Sequence, residues 1–296
     1  MNRFSKYSKP TIELVLSLLA DAYAEEAKLD KVLERISEEV FAEVKKEIEK
    51  MAKDGKIDLS KKINLHNHPA IYTALKRIEQ KEWDKIMEFA WIGMMVMTES
   101  LTQTYQQTLA QTYQMFNYVK AIDTATVGKP KSLNVTVQMT DTYITENVLK
   151  IPWCQDGKTY SERLYANVAN FHSKLAYVLE EGITNGRGME WMTEAWRKLT
   201  GAAAYDTARL LKTETMAMWS MATKQAYLEM GIEYVEVIGD AECGGICLDY
   251  LDSPIPLAEA ELGDLLPPYH PNCACCYIAY EEVVEMPIEE ETEILE

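Results

Sequence analysis

The chain of 296 residues has no long apolar run. Its longest, FAWIGMMVM from Phe89 to Met97, is nine residues, where a bilayer span needs roughly 20. No membrane-spanning segment is therefore expected. The start, MNRFSKYSKP, has neither the apolar stretch nor the cleavage site of a secretory signal, so the expectation is a soluble chain made in the cytoplasm. Positive charge is also scarce. Lys and Arg number 30 against 47 Asp and Glu, a net charge of −17. Bulk coating of a nucleic acid needs cationic faces that displace counterions, so that role is disfavoured, while a local basic patch stays open. Catalytic signatures are missing as well. There is no H-E-x-x-H, no H-x-E with P-C-x-x-C and no G-x-x-x-x-G-K-[ST]. No Ser or Cys nucleophile has a recognisable motif partner. The expectation is that the chain is not an enzyme, with a metal-dependent hydrolase or a toxin-like effector as the alternative.

Cysteine is almost absent before residue 240. Cys154 stands alone there and reads as a core or surface thiol. The other five fall in DAECGGICLDYLDSPIPLAEAELGDLLPPYHPNCACC, from Asp240 to Cys276, with one of the four histidines. Cys243 and Cys247 are separated by three residues, His270 and Cys273 by two, and Cys275 and Cys276 follow. Two short ligand pairs split by a loop of twenty-two residues match the spacing of a tetrahedral zinc site, because each pair closes a tight turn that aims its side chains at one point. Cys243, Cys247, His270 and Cys273 would fill the tetrahedron and leave no position for water, which makes a structural zinc. Cys275 could stand in for Cys273. Disulfides and plain buried thiols are the competing readings.

Nearly half of the residues, 47%, are apolar, enough to bury a core, and the length suits two domains of ordinary size. The expected fold is mainly α with a small α+β C-terminal domain. Long N-terminal helices precede a helical domain that ends in short strands and a Cys/His zinc knuckle. Four segments are expected: a helical region over 1–125, a linker and strand over 126–150, a domain over 151–282 and an acidic tail over 283–296.

Helical spacing starts at Pro10, with Leu14, Leu18 and Leu19 in one stripe. A second stripe holds Leu33, Ile36, Val40, Val44 and Ile48. Asp30 could cap a second helix and break the segment near Leu29, and Gly55 ends it. In the loop that follows, His66 and His68 could meet a metal, but metals need three or four donors and no others stand near. The plainer reading is that Asn67 or His68 caps a helix opened by Pro69. That helix, whole, kinked or broken, runs to about Lys120 and is apolar nearly all round in its middle. It carries QTYQ twice, at Gln103 and Gln111, with Tyr105, Leu109, Tyr113 and Phe116 on one face. The Thr and Gln rows beside that face read as a packing surface against another helix or another chain. Leu133, Val135, Val137 and Met139 alternate like a strand. Helices are expected over Tyr160–Glu181, ended by Gly182, then over Met189–Leu199 and from about Ala202 to Met230. Strands are expected over Ile232–Ile238 and Tyr277–Tyr280. Trp153 reads as a core anchor and His172 as a boundary residue rather than a base.

From Trp153 onward a set of motifs appears in order. Trp153 is followed by Thr159-Tyr160-Ser161-Glu162-Arg163. Gly186-Arg187-Gly188 precedes a helix that carries Arg209 and the pair Thr213-Glu214. Asp240, Cys243 and Cys247 come next, and His270-Pro271-Asn272-Cys273-Ala274-Cys275 closes the set. This order resembles the phage Mu F-like, or phage head morphogenesis, family of minor capsid proteins, with its W…(F/Y)S-x-R, R-x-x-x-T-E and H-P-N-C-R-C blocks. The resemblance covers about residues 150–282. It departs in the first cysteine pair, which commonly has two intervening residues, and at Ala274, where Arg is common. The resemblance implies a structural protein of the virion at the portal vertex or inner capsid, present in a few copies. Its implied partners are the portal protein and the major capsid or scaffolding protein, and in some relatives packaged DNA. Read from the residues themselves, Arg209, Thr213 and Glu214 serve as an internal salt bridge or loop tether.

Overall fold

The computed structural model describes residues 8–55, 57–127, 140–154, 156–239, 245–251 and 253–280. Four long helices dominate the described residues. α1 spans Ser8–Lys53, α2 spans Pro69–Val127 and, after a short helical turn α3 (Asp141–Tyr143) that runs into a π-turn at Ile144–Val148, α4 spans Tyr160–Thr184; α5 spans Gly188–Glu229. At 1.5 Å per residue, α1 is about 69 Å long and α2 about 88 Å. No helix among the described residues is long and apolar enough to cross a membrane. A three-stranded antiparallel sheet follows, made of β1 (Tyr234–Ile238), β2 (Pro254–Pro256) and β3 (Cys276–Ala279), in the order β2-β1-β3. Val235 pairs with Ile255 on one side and with Ala279 on the other.

The stripes read from the sequence make the core. Leu33, Ile36, Val40, Val44 and Ile48 of α1 and Leu164, Val168, Phe171, Leu175 and Val178 of α4 are all buried in one cluster, which α2 and α5 complete. A second cluster sits at one end of the bundle. There Leu14, Val15 and Leu18 of α1, Phe116 of α2, and Trp219 and Tyr227 of α5 cover the sheet. Trp219 meets Tyr277 of β3 edge-on at 5.1 Å, and Phe116 meets Tyr227 at 5.4 Å. Burying each such side chain contributes about 1.5–3 kcal/mol, so the sheet is held chiefly by this aromatic contact.

The helices are longer than the sequence suggested. α1 is not broken at Asp30, which stays helical and half-buried, because Leu29 and Leu33 on either side are sunk in the core. The expected pair Met189–Leu199 and Ala202–Met230 is one helix. Gly201 points into open space, so its cost of about 1 kcal/mol is outweighed by the burial of Trp196 and Leu211 on either side. α4 runs past Gly182 to Thr184. α2 is continuous through Val127. It starts at Pro69 as expected, with the His68 carbonyl accepting from the amides of Ile71 and Tyr72 at 3.0 and 3.1 Å. α1 ends ahead of Gly55, whose φ is +69°. The expected strand through Leu133, Val135, Val137 and Met139 lies outside the described residues, as does the acidic tail.

The Thr row on α2 packs within the chain. Thr102, Thr104, Thr108 and Thr112 are buried, Tyr105 donates to Gln225 and Tyr113 donates to Glu229 of α5. The glutamines at 103, 107, 111 and 114 are exposed.

Candidate metal centre

Two turns at the end of the sheet bring three ligand side chains together. Cys247 sits on a 3-10 turn, Gly245–Tyr250, that a bridge from Leu251 to Val237 ties to β1. His270 and Cys273 sit on the turn that leads into β3, closed by the Cys273 amide donating to the His270 carbonyl at 3.1 Å. Tyr250 and Tyr269 stack at 4.7 Å with 10° between their planes and fasten the two turns side by side. Asn272 has φ +63°, a left-handed conformation that Asn tolerates better than most residues.

Among the described residues, the ligand atoms of Cys247, His270 and Cys273 all lie within 4.8 Å of one another. Cys247 Sγ is 3.1 Å from His270 Nε2 and 3.9 Å from Cys273 Sγ. Tetrahedral zinc, with bonds of about 2.3 Å to sulfur and about 2.0–2.1 Å to nitrogen, sets such atoms about 3.8 Å (S to S) and about 3.6 Å (S to N) apart. The sulfur pair already has that spacing, and the sulfur–nitrogen pair is tighter by the reach of a thiol hydrogen bond. His270 Nδ1 lies 2.9 Å from the Pro271 carbonyl oxygen and can donate to it, which leaves Nε2 as the coordinating nitrogen. The Cys273 thiol is pushed down to about 5. Its hydrogen bond with Cys275 is the largest cause, with backbone contacts at Tyr269 and Cys275 and the His270 charge adding to it, against burial. A thiolate is the form that binds metal. The cluster could therefore hold a metal ion.

The other expected ligands divide. Cys275 is buried and touches Cys273 through its thiol, but it is not one of the three clustered ligands. Its sulfur rests on Gly239, where a Cβ would come within 2.6 Å of it. Cys243 lies outside the described residues. Burial pushes the Cys276 thiol up to about 12, which keeps it protonated. Among the described residues His68, which is exposed, joins no ligand cluster, and Cys154 is a half-buried free thiol.

A second constellation fastens this centre to the helices. Thr213 on α5 accepts from the Asn272 amide at 3.0 Å while donating to the Arg209 carbonyl at 2.7 Å. Its neighbour Glu214 is 1% exposed. It accepts from Trp153 Nε1 at 2.8 Å and from Arg163. Arg163 also reaches Asp156 at 2.8 and 3.1 Å, and its guanidinium lies 5.2 Å from the Trp153 ring centre. Burial pushes the Glu214 carboxyl above its ordinary range, against the pull of Trp153 and Arg163. The Arg163 hydrogen bonds hold Asp156 below the usual range. Arg163 is placed by a capping box at the start of α4, where Thr159 and Glu162 bond reciprocally. The partner of Glu214 is thus Arg163 of another helix. Arg209, its candidate partner by proximity, pairs with Asp206 at 3.2 Å. The sequence reading missed Asp156, whose only signal is its place just ahead of the capping box. Trp153 is half-buried and works through its indole N–H as well as its bulk. His172 is also half-buried, between Trp83 and the Glu79 carbonyl.

Between this network and the His270–Pro271 turn lies a cavity of about 510 Å³, lined among others by Trp153, Arg163, Asn167, Arg209 and Tyr269. Compared with protein-family models, curated proteins and solved structures, the chain matches none.

Proposed function

We propose that the chain is a minor head protein of a tailed phage or prophage, acting in head assembly at the portal and inner capsid, with a structural zinc knuckle. What supports this reading is the meeting of the motif residues on which the family resemblance rests. Trp153, Arg163, Thr213, Glu214 and Asn272 come from four separate stretches of the chain, yet they form one bonded network beside Cys273 and His270. Motif residues used to bond one another suit a scaffold better than a catalyst.

In this proposal zinc is held by Cys247, His270 and Cys273, with Cys243 or Cys275 as the fourth ligand. It would tie the turn after β1 to the turn before β3 and contribute to folding. The portal protein and the major capsid or scaffolding protein are the proposed partners. Packaged DNA is a further proposed contact, made through a local surface given the net charge of −17.

The test is peptide mass spectrometry on purified, DNA-filled particles from the source culture. The chain should appear at low copy beside the portal protein. Its absence from every head intermediate, with presence in the soluble lysate alone, would overturn the proposal.

A further inference from the structure

The seam between α1 and α2 contains one residue of the wrong kind. On α2 the positions facing the core run Leu75, Ile78, Glu82, Ile86 and Phe89, and all five are buried. Val40 and Val44 of α1 stand opposite. Glu82 is 2% exposed, and neither carboxylate oxygen has a hydrogen-bond partner or reaches solvent. A leucine would fill this place without penalty. An unsatisfied buried carboxyl costs free energy, and in a native structure it calls for an explanation.

The surroundings offer the carboxyl an exit. A cavity of about 250 Å³ lies against it, lined by Val40, Val44 and Ile78 and by the charged groups Glu43, Lys46 and Glu47 of α1 and Lys81 and Lys85 of α2. Glu47, Ile78 and Lys81 also border a second cavity of about 590 Å³, which extends toward Met51 and Ile71 at the hairpin end. Lys85 is turned away toward Glu39 and Glu43, at 3.5 and 3.9 Å. Glu79 is the remaining charged neighbour on α2. From α4, His172 packs on Trp83 and on the Glu79 carbonyl, one turn away. Lys46, Lys81 and Lys85 therefore border a cavity beside a carboxyl that they do not touch.

We propose that the α1–α2 seam at Glu82 is a proton-gated joint, closed while the carboxyl carries its proton and opened locally when the proton leaves to bulk solvent. Opening lets the carboxylate reach the flanking cavity, where water and Lys81 can solvate it. Desolvation by burial, with a smaller push from Glu79, raises the Glu82 pKa to about 8. In the open form the carboxyl returns to its ordinary value of 4.5, so between about 4.5 and about 8 each pH unit favours the open form further.

Hydrogen exchange read by mass spectrometry on the full chain, from pH 5 to 9.5, tests the joint, after correction for base-catalysed intrinsic exchange. In the wild type, the opening constant of segments 36–50 and 75–90 should rise about tenfold per pH unit from pH 5 and level off above pH 8. Glu82→Gln keeps the shape and cannot ionise, and its profile should be flat throughout. Glu82→Leu, which fills the seam, should also be flat and is the control should the amide disturb packing. Segment 216–228 of α5 should show no such rise in any of the three. The proposal is overturned if either variant keeps the rise, if the wild type lacks it, or if every segment rises together, since that is global unfolding.

Discussion

Replacing Arg163 by Met would remove the charge that Glu214 faces and keep the aliphatic stem. The Glu214 side chain is 2% exposed and that of Arg163 15%, so solvent cannot take over the lost contact. Glu214 would keep one neutral donor, Trp153 Nε1 at 2.8 Å. Removing one member of a buried ion pair costs about 3–5 kcal/mol, mostly for the stranded charge. Unfolding entropy near 2.1 cal/mol/K per residue gives about 0.6 kcal/mol/K for this length, so a loss of about 4 kcal/mol lowers Tm by about 6 °C. The deficit should depend on pH. The folded pKa of Glu214 already lies above its ordinary value, and R163M raises it further. Such a group favours the folded state most at low pH and loses that contribution as pH rises from the unfolded value toward the folded one. The R163M deficit should therefore be small near pH 5 and grow toward pH 8 in thermal scans. Glu214→Gln added to R163M should recover part of the loss. A deficit under about 1 kcal/mol, one that does not change with pH, or a double variant no better than R163M would refute the reasoning.

Two other outcomes follow from the same geometry. Purified protein should hold one metal ion per chain by elemental analysis, and cobalt substitution should show a thiolate charge-transfer band. Cys247→Ser or Cys273→Ser should abolish both and lower the melting temperature, whereas unchanged metal content would remove Cys247, His270 and Cys273 as the ligand set. Thr213→Val should cost about 1 kcal/mol, the usual worth of one hydrogen bond, and speed metal loss to a chelator, with Thr213→Ser restoring both. Equal chelation rates would mean that the Asn272 turn does not depend on α5.

Helical stripes were legible wherever the period was regular, as in Leu33 to Ile48 and Leu164 to Val178, because burial along one face is what both pattern and structure record. Two strands of the sheet and the meeting of Cys247, His270 and Cys273 were legible for similar local reasons. β2 was not, since Pro254 and Pro256 read as loop; they are tolerated on an edge strand, where the sheet does not need their amide donors. The breaks foreseen at Asp30 and Gly201 failed because a local preference of about 1 kcal/mol yields to core contacts from remote residues. Glu214 could not be paired from sequence, its partner being 51 residues away. Glu82 was hidden for the opposite reason. A charged residue beside Lys81, Trp83 and Asp84 looks like an exposed face until α1 is laid against it.

Thr213 and Glu214 are adjacent on α5, and consecutive helical residues point about 100° apart. One grips the turn that carries His270 and Cys273, and the other grips α4 through Arg163. They act on the helix like two guy ropes on a mast. A load on the C-terminal sheet is therefore shared with the helical bundle through these two neighbouring residues.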